Sequence, residues 1–221
     1  MNPKTISGGK RLLFCYERLC DCDLRVVERQ MAGRKFDSAL MLGTARRCRF
    51  GCPCVVVCSP LSGLTPFPTS FWLTCPWLCH FIGSVESDGG VGQLERWLET
   101  HKRAWGKWDS YYHFDFDHRL AKMALLSPNR LYLLRRFRPK VFDRLCRNGI
   151  GGTRYDPGSP IRVKCIHLQA ASWLAFRRHP GEEWLKARGI GQDCGGLMRN
   201  LCYGRITPKI AASSTSLLSE G

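Results

Sequence analysis

The chain has 221 residues, 44% of them hydrophobic, and a formal net charge of +16. A chain of that length and apolar content can bury a substantial core, which excludes a wholly disordered protein and favours one domain. Its longest apolar stretch, residues 71 to 82, is broken by Pro76 and His80 and falls short of a hydrocarbon layer about 30 Å thick, which excludes a spanning helix there.

The opening segment, MNPKTISGGKRLLFCYERLCDC, offers only the four-residue apolar run LLFC, too short for an export signal. Residues 1–23 therefore read as an extension before a globular domain over 24–206, and the expected location is the cytoplasm. Thirteen cysteines in that compartment should stay free, bind metal or do redox work rather than form a disulfide scaffold, or should serve as small buried hydrophobes.

LRVVERQMAGRK, residues 24–35, reads as a short strand or helix followed by a glycine-marked turn. In ARRCRFGCPCVVVCSP the β-branched run Val55 to Val57 is a predicted strand, and SFWLT, after a Pro- and Gly-rich loop, is a second. Pro76 suits a first helical turn, and Leu78, Phe81, Ile82 and Val85 follow at helical spacing, so Cys75 is expected where a strand ends and a helix begins. Thr74 is the expected cap of that helix. Asp88-Gly89-Gly90 stops it, and Leu94, Trp97, Leu98, His101 and Trp105 stripe the next. Residues 108–128 and 130–137 read as further helices, the second ended by Pro139. GIGGTRYDPGSP is a loop, RVKC is extended, and IHLQAASWLAFRR is a helix with Ile166, Ala170, Trp173 and Leu174 inward. Residues 207–221 read as a flexible tail. The sum is an α+β fold, a predominantly helical single domain with a small sheet built from the Val55 and Phe71 regions.

Six stretches, RQMAGR, ARRCRFGCP, PFPTSFWLTCPWL, GGVGQLE, GIGGT and VKCIHLQAA, occur in this order. Together they resemble a bacterial family of domains of unknown function, numbered 501, from about Leu24 to about Cys202. The resemblance implies positions rather than an activity. The family's cysteine after a basic pair, its cysteine in the TCP block and its VKC-x-H block fall on Cys48, Cys75, Cys165 and His167, and its glycine-rich turn on Gly149, Gly151 and Gly152. Two stretches depart from the pattern: a longer basic and aromatic region between Trp105 and Arg147, and HPGEEW after the last helix.

Thiolates and an imidazole are ligands that borderline metals prefer. Cys48, Cys75, Cys165 and His167 are thus candidates for zinc, or for an iron-sulfur cluster held by the three cysteines. A nucleophilic thiol is the other reading: Cys75 and Cys165 stand at helix starts, and His167 is a candidate base. Cys52, Cys54, Cys58 and Cys79 form an alternative ligand set. Arg47, Gly151, Gly152, Arg162 and Lys164 are candidates for receiving an anion, the glycines by letting backbone amides approach it.

HFDFDH, residues 113–118, is expected to be a solvated, charge-paired surface rather than a metal site. Charge is unevenly spread, since residues 101–150 hold twelve Lys and Arg against four acids. RLYLLRRFRPK interleaves Tyr132 and Phe137 with basic side chains, the composition of a nucleic-acid contact or of an amphipathic helix with a basic solvent face. The rival function is accordingly a basic interaction module for nucleic acid or an acidic protein, with its cysteines structural.

Overall fold

In the computed structural model, which describes residues 4–8, 11–102, 109–192 and 194–203, the run PCVVVC becomes the central strand. All six of its residues are buried, so it needs a partner on each edge and a cover on each face. Calling the strands and helices by chain order, it is β4 (Pro53–Cys58), lying antiparallel between β3 (Met41–Arg47) and β7 (Phe71–Leu73). Val55 pairs with Leu73 and Val57 with Phe71, the sheet expected from sequence.

Alternation decides what covers each face. Val56 and Cys58 pack with Val27 and Met31, which belong to and follow α1 (Asp21–Gln30). Val55, Val57, Phe71 and Leu73 point the other way, into the principal core with Ile166, Ala170 and Ala171 of α7 (Ile166–Phe176). Alanines at that contact let the helix backbone approach the sheet closely, and each fully buried Ile, Val or Phe contributes about 1.5–3 kcal/mol.

The N-terminal residues are not merely an appendage to this core. They form a hairpin of β1 (Lys4–Gly8) and β2 (Arg11–Tyr16), and Leu13, Phe14 and Tyr16 join the principal core. Two short strands, β5 (Leu61–Ser62) and β6 (Thr65–Pro66), occupy the Pro- and Gly-rich loop. After the sheet come α2 (Pro76–Ser87), α3 (Gly90–Thr100), α4 (Ser110–Ala124), α5 (Pro128–Phe137) and α6 (Pro139–Arg147). The last is a helix that the sequence reading did not separate from the arginine-rich run. Beyond α7 lie α8 (Glu182–Ala187) and α9 (Arg199–Tyr203). The expected tail at 207–221 and Trp105 lie outside the described residues.

Two expectations need correction. HFDFDH is charge-paired but not solvated: Asp115, Asp117 and His118 are all buried, because α4 packs against α6 on one side and β1 on another. Asp115 binds Arg119 at 2.6 Å and accepts from the Ile150 amide at 3.0 Å, while Asp117 binds Arg178 at 2.8 Å. Lys122, also buried, donates to the carbonyls of Asn148 and Gly149. The second correction concerns thiols. A disulfide joins Cys20 to Cys22 at the head of α1; it closes a local loop, and the other eleven cysteines are free. No described helix is long and apolar enough to cross a membrane.

Candidate functional site

β3 runs out through Arg46, Arg47 and Cys48 into a tight turn, where Cys48 donates its amide to the Cys52 carbonyl at 2.9 Å and Gly51 returns a bond to the Cys48 carbonyl. Gly51 takes φ = +81°, a conformation glycine adopts without strain. Cys52 and Cys54 follow two apart at the start of β4, so the strand's alternation directs both to one side. β7 delivers Cys75 beside them: the amides of Thr74 and Cys75 both reach the Cys54 carbonyl, at 2.9 and 3.4 Å. Thr74 is not the cap of α2. Cys75 occupies that position without a side-chain cap bond, and the Thr74 hydroxyl donates instead to the Pro53 carbonyl at 3.1 Å, tying β7 to β4.

The far wall comes from the chain's other end. Arg29 holds the Cys202 carbonyl through two nitrogens at 3.0 and 2.9 Å, and Gln30 donates to the Cys202 sulfur at 3.3 Å. The result is a cavity of about 260 Å³ onto which Cys48, Cys52, Cys54, Cys75, Cys194 and Cys202 all open. Arg46, Arg49 and Arg199 stand at its rim and make no ion pair among the described residues.

Among the cavity thiols Cys54 is the deepest in effect: its neighbours Cys48 and Cys75, together with burial, push its pKa up, and it draws both of theirs down, while its own Sγ donates to the Cys52 carbonyl at 3.8 Å. Backbone amides add to that effect, from Phe50 and Cys52 at Cys48 and from Leu78 and Trp77 at Cys75. Two sulfurs favoured as thiolates thus open on the same cavity as a third thiol, an arrangement that a cation would satisfy.

The other half of the expected set lies elsewhere. Cys165 precedes α7 and His167 opens it, where both meet Glu86 at the end of α2; donor atoms of these three lie within 4.8 Å of one another. Cys48 and Cys75 share the cavity, and Cys165 and His167 do not line it. The Glu86 group can hold an ion by its donors, yet Glu86 and His167 are already engaged. One Glu86 oxygen accepts from the Ile166 amide at 2.5 Å and from the His167 amide at 3.3 Å, and lies 3.0 Å from His167 Nδ1. His167 Nε2 faces the Cys79 carbonyl at 3.0 Å. Glu86 is therefore the anionic cap of α7. Glu86→Ala is expected to lower stability by about 1–3 kcal/mol, since two amides lose their acceptor, and the midpoint of a urea titration measures it.

The expected anion ligands are dispersed as well. Arg47 is committed to Asp23 through two bonds of 2.6 and 2.8 Å and to Glu17 at 2.9 Å, and the Asp23 carboxyl is held below its ordinary range chiefly by that guanidinium. Arg162 reaches Glu95 at 3.4 Å. Gly151 and Gly152 adopt positive φ in a 3₁₀ turn, where a side chain on Gly152 would strike Pro68, and Lys164 runs past Gly151. Cys79 lies one turn after Cys75, but its sulfur donates to the Leu73 carbonyl at 3.5 Å and meets Arg34. The sequence signal for the true cavity wall was the Cys-x-Cys spacing of Cys52 and Cys54; nothing in the sequence pointed to Cys202.

A family model described as a protein of unknown function, DUF501, matches residues 44–186. The chain belongs to the DUF501 family. The matched span contains Cys48, Cys52, Cys54 and Cys75, so four of the six cavity thiols are in the DUF501 region, whereas Cys194, Cys202 and Arg199 follow it. No curated protein and no solved structure matches the chain.

Proposed function

We propose that the working centre of this protein is the thiol-lined cavity, where Cys48, Cys54 and Cys75 hold a thiophilic metal centre and the rim arginines Arg46, Arg49 and Arg199 draw in an anionic ligand. The observation that carries this reading is the cavity wall: three cysteines from three chain segments open on one cavity, two of them supplied with amide donors that favour the thiolate. Thiolates are preferred ligands for zinc and for iron-sulfur clusters. The trio is not gathered within 4.8 Å as the Glu86 group is. A single zinc at about 2.3 Å from each sulfur would need it drawn inward. A cluster, whose cysteines bind different irons, accepts a wider set and favours the iron-sulfur option.

The test is elemental analysis with an absorption spectrum of protein purified without oxygen, beside Cys54→Ser and Cys165→Ser. Near-stoichiometric metal in the wild type, lost in Cys54→Ser and kept in Cys165→Ser, is the expected result. Metal lost only in Cys165→Ser would move the centre to the Glu86 group, and a metal-free wild type would overturn the proposal.

A further inference from the structure

The arginine-rich stretch invites a plain explanation, an amphipathic helix whose aromatics are core and whose cations face water. The structure does not give Tyr132 and Phe137 that role. The packing of α5 and α6 onto the body uses Leu131, Leu134, Val141, Phe142 and Leu145, which join Leu61 and Leu126 in a separate small core. Tyr132, Leu133 and Phe137 are left 67%, 51% and 66% exposed.

Helical spacing places Tyr132 and Arg136 one turn apart on the outward face, with Leu133 and Phe137 one turn apart beside them. The Arg136 guanidinium stands 5.6 Å from the Phe137 ring centre. Arg130, Arg135, Arg138 and Lys140 surround these rings, all exposed. From Pro128 to Arg147 the sequence has seven Lys and Arg residues against the single acid Asp143, which is itself paired with Arg147 at 2.7 Å.

We propose that this face of α5 and the start of α6 binds single-stranded nucleic acid. Arg130, Arg135, Arg136 and Lys140 would meet phosphates, and Tyr132 and Phe137 would stack on bases. Exposed rings alternating with cations are what a flexible polyanion with accessible flat bases can use, and a duplex keeps its bases stacked internally. A lipid surface fits less well, because arginines interrupt the apolar groups on each turn and leave no continuous strip to sink among acyl chains. A second copy of the same face would bring like charges together.

The experiment is fluorescence anisotropy of a labelled single-stranded oligonucleotide with the full chain, titrated over salt, beside a duplex of equal length and vesicles containing phosphatidylserine. Binding should weaken steeply with salt. Arg135→Glu with Arg136→Glu should cut affinity more than tenfold and flatten the logarithmic salt slope by about 1.4. Tyr132→Ala and Phe137→Ala should each cost roughly five- to hundredfold on the single strand. All four side chains are exposed, and unchanged circular dichroism and thermal midpoint would confirm intact folding. No binding of the wild type to the oligonucleotide, binding to vesicles alone, or duplex binding as tight as single-strand binding and indifferent to Tyr132 and Phe137 would each overturn the proposal.

Discussion

Gly149→Ala is expected to destabilise the protein by about 3–5 kcal/mol, the range for breaking a buried ionic network. A β-carbon on Gly149 would come within 1.7 Å of an oxygen of the Asp115 carboxylate. That carboxylate cannot swing aside cheaply, because it is buried, bound to Arg119 and accepting from the Ile150 amide. Moving it strands the amide and the guanidinium together, and it disturbs the Gly149 carbonyl that accepts from Lys122 at 2.7 Å. Urea denaturation supplies the measurement. The control is Gly83→Ala in the interior of α2, where a β-carbon meets nothing within 4 Å. There alanine should be neutral or stabilising by up to about 1 kcal/mol. Equal effects at the two sites would refute the steric argument.

Acid should unfold the protein early, with about 1.6 kcal/mol of stability lost between pH 6.5 and pH 5 from His179 and a further loss from His118. His118 and His179 are buried, and burial holds both imidazoles below their ordinary range, His179 at about 3. Geometry agrees for His179. Its Nδ1 accepts from the Gly181 amide at 2.8 Å and its Nε2 lies 2.7 Å from the Gln169 side-chain oxygen, which fixes a neutral ring with the proton on Nε2. His118 Nε2 has no hydrogen-bond partner among the described residues and its ring sits among Phe71, Phe114 and Phe176, with the Lys122 charge as a further deterrent to protonation.

The sign follows from these depressed values. Well above pH 6.5 neither state carries the protons and stability is full. Below it the unfolded chain takes them up while the folded one does not, so stability falls by about 1.4 kcal/mol per pH unit for each histidine. The cavity thiols and Asp115 also have shifted pKa values, so the histidine part is isolated by difference: His118→Phe should make the loss between pH 6.5 and pH 5 measurably smaller. An unchanged pH profile in that variant would show that His118 is protonated in the native state.

What was legible in the sequence is what local pattern controls. The β-branched run of β4, the Pro76 helix start, the Asp88-Gly89-Gly90 stop and the helix after VKC all stand where residue type and spacing put them. The burial of Asp115, Asp117 and His118 was not legible, because it depends on α6 and β1 covering α4, a long-range matter invisible to the period of α4 itself. The site shows the same division. Cys75 at a strand-to-helix junction could be read directly, and alternation along β4 put Cys52 and Cys54 on one side. The separation of Cys48 and Cys75 from Cys165 and His167 could not, since it turns on how α2 and α7 meet at Glu86. Cys202 is held by Gln30 and by Arg29, 173 residues away.

That last distance bears on the order of events during synthesis. The strands carrying Cys48, Cys54 and Cys75 leave the ribosome more than a hundred residues before α9, and segments of a growing chain begin to fold as they emerge. Until Arg29 captures the Cys202 carbonyl, the cavity lacks that wall. The nascent chain therefore passes through an interval in which the cavity is open on that side, and arrival of α9 ends it.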